Sequence, residues 1–477
     1  MGRPIAAVRA EPAVTALVVL AVVVYAATSL RHDHFGSGGF DLGIFDQTVW
    51  HYSQGETPAS SIENLPNILS DHFSPGLALL APLFWLWNDP RMLLVAQALL
   101  IAGTAVPILL FARPRVGRGG ALMLAAAYLA FWGVASAVDF DFHEVALAPP
   151  LIAGALLAFD RQRTGMAMAC VLGLLAVKED QSFLVMAFGL YALTLGHRRA
   201  AATCLAAGLG WYAVITGAVM PSLAADKRYA FWSYDSFGRD LPHAVLGVLE
   251  RPWRLITVAV DHALKVHTLL RLLVPWMGLV ACTRVGILAL PLLGERFLSS
   301  TANYWTASFH YSLTIAPVLA CGAADGIATL RRRGPRRWRG LLARRRAVPV
   351  LCAAILLLNL ATTRPNLLGE LGHPTRSFAN PPGVGALRAE LAMIPPGASV
   401  ATEDAVVPWL SHRRTVAELS AHTGETDWVI VDYSEPVGSM APNQGLATVQ
   451  GWLGTYGHDY RIVMARKHWL LLRRRTA

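Results

Sequence analysis

The chain has 477 residues, of which 54% are hydrophobic and only 15% are charged. About a quarter of the residues in a typical soluble domain are charged. This composition therefore excludes a disordered chain, a small disulfide scaffold and an ordinary soluble enzyme, and it predicts an integral membrane protein. Lys and Arg outnumber Asp and Glu by 41 to 31. These basic residues cluster at the ends of apolar segments, as in cytoplasmic loops, so we expect no nucleic-acid partner.

Apolar segments separated by short loops predict about eleven transmembrane helices. The count takes about 17–25 residues as the length of a span and accepts shorter segments where a helix is buried in the protein. The first segment is longer than the apolar core of a signal peptide, so we expect it to be a retained span. The predicted fold class over residues 1–363 is therefore an all-α polytopic membrane domain. Its segments centre on 13–30, 92–112, 120–138, 145–159, 165–177, 182–196, 200–221, 267–283, 285–299, 308–329 and 347–363.

The apolar segment 74–88 decides the topology, because it is short and contains Pro75 and Pro82. If it lies at the membrane interface, the arginine-rich loops 113–118 and 331–346 fall on the same side as the N-terminus. The positive-inside rule makes that side cytoplasmic. The acidic and histidine-containing loops then all lie on the extracytoplasmic face, together with the C-terminal tail.

The tail, 364–477, differs in composition from the rest of the chain. Proline and glycine are frequent near its start, and short β-like runs follow at 398–402, 428–433 and 460–472. A turn-rich segment and a short helical pattern lie between these runs. We expect a small α/β extracytoplasmic domain.

Charged side chains close to a membrane core are costly, so each one is a candidate functional residue. The first extracytoplasmic loop, 31–91, contains the run FDLGIFDQTVW, in which Asp41 and Asp46 stand among apolar residues. This pattern predicts an amphipathic helix that lies on the membrane with Asp41 near its start. Asp41 is then either a catalytic or ligand-binding residue, or simply the N-cap of the helix.

Three carboxylates and an imidazole fall within the run DFDFHE, 139–144. In an extended chain, alternation places Asp139, Asp141 and His143 on one face, and these ligand types suit Mg²⁺ or Mn²⁺. The same residues, with Glu144, could equally orient sugar hydroxyls or form a solvated loop.

Two further motifs join carboxylates to a basic residue. DHFSP begins with Asp71 and His72, whose imidazole could contact a phosphate or a metal, or belong to an ordinary turn. VKED contains Lys178, Glu179 and Asp180 at the end of an apolar helix. Lys178 could neutralise a phosphate, or it could pair with the adjacent carboxylates.

His310 and Tyr311 stand at the start of a late apolar segment, where they could close the same cavity or serve a structural role. The sequence contains no Walker motif, no G-x-G-x-x-G motif in a β-α-β context and no zinc-protease motif. We therefore expect no nucleotide cofactor.

Five motifs together resemble those of a bacterial family of predicted membrane proteins of unknown function: FDLGIFDQTVW, DHFSPGLALLAPLFWLW, DFDFHEVALAPPL, VKED and FHYS. That family is grouped with the GT-C superfamily of integral membrane glycosyltransferases. The resemblance covers most of residues 30–320 and extends more weakly into the tail. It implies a GT-C-like fold and a class of chemistry, but no particular substrate.

GT-C enzymes transfer a sugar from a polyprenyl-phosphate donor outside the cytoplasmic membrane. The resemblance implies that Asp41, by its position in the first loop, is the general base, with Asp46 as the second choice. Several members carry a His- or Lys-Pro-Pro element before the second span, whereas this chain has Phe-Ser after His72. The implied reaction is a single displacement that inverts the anomeric carbon. Lys178 and His72, with His143 or a divalent cation, would stabilise the leaving phosphate.

The implied partners are a polyprenyl-phosphate sugar, a glycan, lipid or protein acceptor, and membrane lipids. The alanine- and arginine-rich, lysine-poor composition indicates a high-GC bacterium, so we expect the cytoplasmic membrane of such a cell. A transporter or flippase of a lipid-linked or polar solute is the main alternative, although the sequence shows no internal repeat and its charges gather at one face. A catalytically inactive scaffold whose tail binds an envelope partner is a third interpretation.

Overall fold

Helices form the membrane domain of the computed structural model, which describes residues 12–363, 383–421, 424–433 and 446–475. Proline, glycine and short 3-10 segments interrupt the apolar runs, so many of these helices are short. Their bounds are α1 Pro12–Ser29, α2 Ile44–Ser53, α3 Ala81–Phe84, α4 Arg91–Gly103, α5 Ala105–Leu129, α6 Trp132–Asp139, α7 Ala148–Asp160, α8 Thr164–Gly173, α9 Gln181–Thr194, α10 Arg198–Val214, α11 Met220–Leu223, α12 Leu241–Glu250, α13 Arg254–Ala259, α14 Ala263–Leu273, α15 Ala289–Leu298, α16 Ala302–Trp305, α17 Ala316–Arg333, α18 Arg336–Leu342 and α19 Ala347–Thr363.

Three helical segments of the described chain are long and apolar enough to cross a membrane: Thr15–His34, Arg91–Asp139 and Arg198–Leu223. The helices α18 and α19 make a fourth candidate if they are counted as one span, although they meet at an angle of 91°. Arg91–Asp139 contains two of the expected spans, which separate near Gly117, where φ is 78°. The structure therefore agrees with a polytopic membrane protein, and the expected number of eleven spans is not confirmed.

The other expected spans are shorter or interrupted. The helices α7, α8 and α9 have 13, 10 and 14 residues. At about 1.5 Å per residue, even the longest reaches only about 21 Å, whereas the hydrocarbon core of a bilayer is about 30 Å thick. The 3-10 helix Leu174–Ala176 directly follows α8, so this helical segment is longer than α8 but is not a regular α-helix throughout.

The helices place two groups of loops at opposite ends of the membrane domain. At one end, the guanidinium of Arg115 lies 2.6 Å from a carboxylate oxygen of Asp160 and 2.9 Å from one of Asp325. Helix α7 ends at Asp160, and the 3-10 helix Glu144–Leu147 directly precedes it. Glu144 therefore lies at the opposite end of the membrane domain from Arg115. This arrangement agrees with the expectation that the arginine-rich loops share one side.

The segment 74–88 forms the 3-10 helix Pro75–Leu80, followed directly by the short helix α3. Together these elements are too short to cross a bilayer as a straight helix. The indole Nε1–H of Trp85 donates a hydrogen bond of 2.9 Å to the carbonyl oxygen of Ser53 at the end of α2. The segment therefore packs against α2 within the first loop, as an interfacial segment would.

The C-terminal domain contains the expected sheet with small differences. Its elements are α20 Val384–Leu391, β1 Val400–Thr402, β2 Val416–Glu418, β3 Trp428–Asp432, α21 Leu446–Tyr456, β4 Tyr460–Arg466 and β5 Trp469–Arg474. The runs expected at 398–402 and 428–433 form β1 and β3, whereas the run at 460–472 is a hairpin that turns at Lys467, with φ of 52°. Strand β1 pairs in parallel with β2 and β3, and β5 pairs antiparallel with β3 and β4, in the order β2-β1-β3-β5-β4.

The first loop and the C-terminal domain share one hydrophobic core. Phe35 and Ile44 of the loop region belong to the same buried cluster as Val400, Val407 and Ile430 of the domain. Burial of apolar side chains is the main favourable contribution to packing. The first loop is therefore held against the C-terminal domain as one structural unit.

Candidate active site

Asp41 occupies a strained turn just before α2. Its backbone angles, φ 68° and ψ −58°, lie in the γ-turn region of positive φ, which costs a residue other than glycine about 1–3 kcal/mol. The N–H of Ile44 donates to the carbonyl oxygen of Asp41, and the residue that caps α2 is Gly43. The alternative that Asp41 is simply the N-cap of this helix is therefore wrong.

The turn brings Asp41 to a buried cluster made by residues that are distant in the sequence. Oδ1 of Asp41 lies 4.0 Å from Nε2 of His143, and Nδ1 of His143 is in close contact with Oε2 of Glu144. The second oxygen of Glu144, Oε1, lies 3.1 Å from Nζ of Lys178. The imidazole of His310 stacks on that of His143, with ring centroids 3.4 Å apart. Four of the polar motifs thus converge, and Lys178 contacts Glu144 instead of its neighbours in the sequence.

The carboxylates of this cluster differ in their electrostatic surroundings. Burial raises the pKa of Asp41, and the nearby carboxylates of Glu144 and Asp141 raise it further. Burial would also raise the pKa of Glu144, but its contacts with His143 and Lys178 outweigh that effect and hold the value well below the usual range. Asp41 is therefore the carboxylate whose affinity for a proton is increased, as a general base requires.

A second ion pair lies beside the first. Nδ1 of His72 lies 3.1 Å from Oε1 of Glu179, and the other carboxylate oxygen of Glu179 accepts the N–H of Phe73 at 2.9 Å. Burial alone would lower the pKa of His72, but the charges of Glu179 and Asp71 raise it above the ordinary value. The contacts with Glu179 and Asp71 thus favour the protonated form of His72.

A small polar cavity of about 60 Å³ adjoins the cluster. Lys178, His310 and Tyr311 line it, together with Asp180 and Glu295, whose carboxyl groups share a hydrogen bond. Burial raises the pKa of Asp180, whereas its hydrogen bond with Glu295 acts in the opposite direction. Glu295 was not among the residues predicted from the sequence, although a single acidic residue inside the apolar segment 285–299 was a usable signal.

An apolar groove of about 410 Å³ meets the polar cavity at Glu295, which lines both. Aromatic residues between α11 and α12 form part of its wall, and α12 and α15 supply aliphatic side chains. Trp232, Phe237, Val248, Leu249, Leu290 and Leu298 are among the lining residues. The polar cavity and the apolar groove thus share one lining residue, Glu295.

The expected metal ligands Asp139, Asp141 and His143 do not form a set, which corrects that prediction. Arg31 lies 3.0 Å from a carboxylate oxygen of Asp139 and 3.6 Å from one of Asp141. The segment is not extended, because α6 ends at Asp139 and Asp141 has a φ of 75°. Alternation therefore does not hold, and both aspartates face Arg31 while His143 faces Asp41.

A different trio of donors could hold a metal ion. Asp41, His143 and His310 each offer one ligand atom, and these atoms all lie within 4.8 Å of one another. Nδ1 of His310 is buried without a hydrogen-bond partner among the described residues. Two imidazoles and one carboxylate suit Mn²⁺ or Zn²⁺ better than Mg²⁺, which prefers oxygen ligands.

Asp46, the second expected catalytic residue, lies away from this cluster. It is fully buried, accepts a hydrogen bond from the hydroxyl of Ser411, and lies 2.9 Å from Nε2 of His412. Both partners belong to the C-terminal domain. Asp46 therefore joins that domain to α2. Asp404 accepts hydrogen bonds from the first loop. It was also not predicted from the sequence, because it belongs to no recognisable motif.

The fold is similar to that of ArnT from Cupriavidus metallidurans bound to undecaprenyl phosphate, with a TM-score of 0.56 and 14% identity over 97% of this chain and 98% of that one. The apo form of ArnT gives 0.54 at 14% identity, over 96% and 97% of the two chains. An oligosaccharyltransferase from Archaeoglobus fulgidus in complex with Zn and sulfate gives 0.45 at 13% identity, over 87% and 68%.

The chain belongs to the family described as Predicted membrane protein (DUF2079), whose model matches residues 31–453. The match begins ahead of the turn that carries Asp41 and extends into the C-terminal domain. Among curated proteins, none matches the sequence. The expected membership of a family of predicted membrane proteins is thereby confirmed.

Proposed function

We propose that this protein is a membrane glycosyltransferase that moves a sugar from a polyprenyl-phosphate donor to a cell-envelope acceptor. The reaction takes place on the extracytoplasmic face of a bacterial cytoplasmic membrane, where the first loop and the C-terminal domain lie. The fold shared with ArnT, which has been crystallised with undecaprenyl phosphate, supports this class of donor.

The observation that carries the proposal is the meeting of the apolar groove and the polar cavity at Glu295. A lipid-linked sugar phosphate needs both surroundings, because its chain must stay out of water while its phosphate and sugar need polar partners. The groove accommodates the part of the chain nearest the phosphate. The cavity, with Lys178 and His310 in its wall, receives the head group.

In the proposed reaction, Asp41 removes the proton from an acceptor hydroxyl as that oxygen attacks the anomeric carbon of the donor sugar. The bond from this carbon to the phosphate oxygen breaks, and the polyprenyl phosphate leaves with the electron pair. A single displacement of this kind inverts the anomeric configuration. The raised pKa of Asp41 increases its capacity to accept the proton.

The departing phosphate needs positive charge nearby. Lys178 and His72 provide it in the proposal, but each already lies beside a carboxylate, at 3.1 Å in both cases. Arg296 also lines the cavity and adds a further positive charge. A divalent cation held by Asp41, His143 and His310 would, when bound, supply additional positive charge for phosphate stabilisation.

Binding of the donor must enlarge the cavity. A volume of about 60 Å³ is well below the roughly 300–1,000 Å³ of typical ligand pockets. Tyr304 and Tyr311 line the cavity with their rings 4.9 Å apart, and they are the side chains whose rotation would open it. The acceptor, a glycan, lipid or protein, would approach from the C-terminal domain, which lies over the turn that carries Asp41.

A reconstituted system tests this function and its main alternative together. Purified protein in proteoliposomes is given a panel of polyprenyl-phosphate sugars, and two quantities are followed: release of polyprenyl phosphate and movement of labelled donor across the bilayer. We expect release with at least one donor and an acceptor extract. Movement of the donor or of a polar solute without release would instead identify a flippase or transporter.

A further inference from the structure

The C-terminal domain reaches directly into the turn that carries Asp41. Oδ1 of Asp404 accepts the backbone N–H of Gly39 at 2.7 Å and that of Phe40 at 3.1 Å. Asp404 is 2% exposed, and the 3-10 helix Asp404–Trp409 to which it belongs packs against the turn. Two consecutive peptide groups just ahead of Asp41 are thus fixed by one oxygen of a residue from another domain.

A second carboxylate holds the same turn from the membrane domain. Oδ2 of Asp141 accepts the N–H of Gly38 at 3.0 Å, and Oδ1 accepts the hydroxyl of Ser37 at 3.0 Å. The positions of three successive amides, at 38, 39 and 40, are therefore set by two buried acidic residues. Hydrogen bonds from neutral donors to an ionised carboxylate are stronger than neutral pairs.

The hydrogen bonds from the amides at 38, 39 and 40 to Asp141 and Asp404 form a clamp on this turn. The clamp explains how Asp41 keeps its unfavourable backbone conformation. A residue other than glycine at φ 68° and ψ −58° is stable only where its surroundings impose that conformation. Helix α2 fixes the chain after Asp41, and Asp404 fixes the chain before it. Together, α2 and Asp404 fix the direction of the Asp41 side chain, which points toward His143.

We propose that Asp404 is a positioning residue for the reaction, through which the C-terminal domain completes the active site. It touches neither Asp41's carboxylate nor the cavity in this role, and it acts by holding the peptide groups at Gly39 and Phe40. The inference rests on the proposed function of Asp41 as the base. It predicts that the membrane domain alone, even when folded, has its catalytic carboxylate out of place.

Close packing makes the clamp sensitive from the loop side as well. A Cβ atom added at Gly38 would lie 2.8 Å from Oδ2 of Asp404 and 3.0 Å from the carbonyl oxygen of Phe40. One added at Gly39 would lie 2.8 Å from Cβ of Val407, which is fully buried. Gly38→Ala therefore disturbs the clamp without removing any group from the C-terminal domain.

The test compares Asp404→Ala, Asp404→Asn and Gly38→Ala in the full-length protein. Hydrogen–deuterium exchange over residues 36–46 reports the clamp, and steady-state kinetics with a polyprenyl-phosphate sugar report its consequence. Asp404→Ala and Gly38→Ala should accelerate exchange at 39 and 40 and lower kcat by about 10²-fold, as for a misplaced catalytic group. KM for the donor should stay near the wild-type value. Asp404→Asn should restore much of kcat, because a single oxygen accepts both N–H groups.

The matched control is Asp427→Ala. Oδ2 of Asp427 also accepts a backbone N–H and a hydroxyl, both from Ser399, at 3.2 and 2.7 Å, but within the C-terminal domain. This variant should leave exchange over 36–46 and kcat at wild-type values. If it lowers kcat as Asp404→Ala does, general weakening of the domain accounts for the loss and the positioning role is refuted.

Unchanged exchange over residues 36–46 in Asp404→Ala would also overturn the inference, whatever the activity. Equal losses of kcat in Asp404→Asn and Asp404→Ala would do the same. If Asp404→Ala fails to fold, Gly38→Ala decides the question by the same readouts. If the wild-type protein consumes no donor at all, the proposed function fails, whereas the exchange data still decide whether the clamp exists.

Discussion

Nε2 of His143 lies 4.0 Å from Oδ1 of Asp41, just beyond hydrogen-bond distance, while its other ring nitrogen contacts Glu144. The imidazole thus lies between the carboxylate proposed as the base and the ion pair of Glu144 with Lys178. Because the contact to Asp41 is longer than a hydrogen bond, His143 does not bind the oxygen that must accept the acceptor's proton. This geometry distinguishes two carboxylates, of which one is paired and buried and the other is available.

The Glu144–Lys178 pair should be important for stability. Glu144 is fully buried, so Lys178→Met leaves its charge with His143 as the remaining ion-pair partner, and Glu144→Gln leaves the buried Lys178 without its nearest carboxylate. Each single change should cost up to about 3–5 kcal/mol. The double variant should recover part of that loss. Thermal unfolding in detergent measures the stability lost in each variant. The control is Arg414→Met, which should lose little stability because Arg414 forms an exposed pair with Glu56. Additive losses in the double variant would show that the two residues are not coupled.

The pair of His72 with Glu179 should make stability depend on pH. The folded-state pKa of His72 is raised above about 6.5, so its contribution is fully present below that pH and is lost as pH rises through the folded value. Melting temperatures of wild type and His72→Gln should therefore differ most near pH 6 and converge at higher pH. A difference that stays constant across this range would contradict the assignment.

The donor trio should bind a metal ion directly. Purified wild-type protein, stripped with a chelator, should take up Mn²⁺ or Zn²⁺ in equilibrium dialysis more tightly than Mg²⁺, because two of its three donors are imidazoles. His310→Ala should lose this uptake, whereas His458→Ala, at an exposed histidine, should retain it. Equal uptake by wild type and His310→Ala would show that the ion binds elsewhere.

The apolar groove should select donors by chain length. Gly294 lines the groove, and the nearest atom to a Cβ added there would be Cδ1 of Leu298, at 3.7 Å. Gly294→Phe should therefore place its ring in the groove. Excluding two methylene groups costs about 1.6 kcal/mol, or roughly tenfold in affinity. KM should rise about tenfold for long-chain donors and stay unchanged for a donor whose chain is too short to reach Gly294. Equal effects on both donors would exclude the groove as the chain site.

Much of the architecture could be predicted from the sequence because apolar patterning is local. The first span and the C-terminal strands β1 and β3 follow from short windows of residues, whereas the interfacial position of 74–88 follows from the distribution of arginines along the chain. The number of spans could not be predicted in the same way. Helices such as α7 and α8 are too short to cross a bilayer alone, and their limits depend on the packing of their neighbours.

The candidate site was harder to predict because its contacts join distant parts of the chain. Local pattern singled out Asp41, His143 and Lys178 as charged residues beside apolar segments. For Lys178 it offered a phosphate or the adjacent carboxylates as partners, and it could not identify Glu144. The metal prediction failed because alternation requires an extended chain, which the positive φ of Asp141 prevents. Asp404 could not be found at all, since its role depends on the docking of two domains.

The central claim is that the carboxylate of Asp41 is the catalytic base. The most direct measurement is the initial rate of polyprenyl-phosphate release by purified wild type, Asp41→Asn and Asp46→Asn, each checked for folding and donor binding. We predict that Asp41→Asn binds donor but releases no lipid phosphate above background. Asp46→Asn, which loses only a contact with the C-terminal domain, should keep turnover with a lower melting temperature. Wild-type turnover in Asp41→Asn would contradict the account.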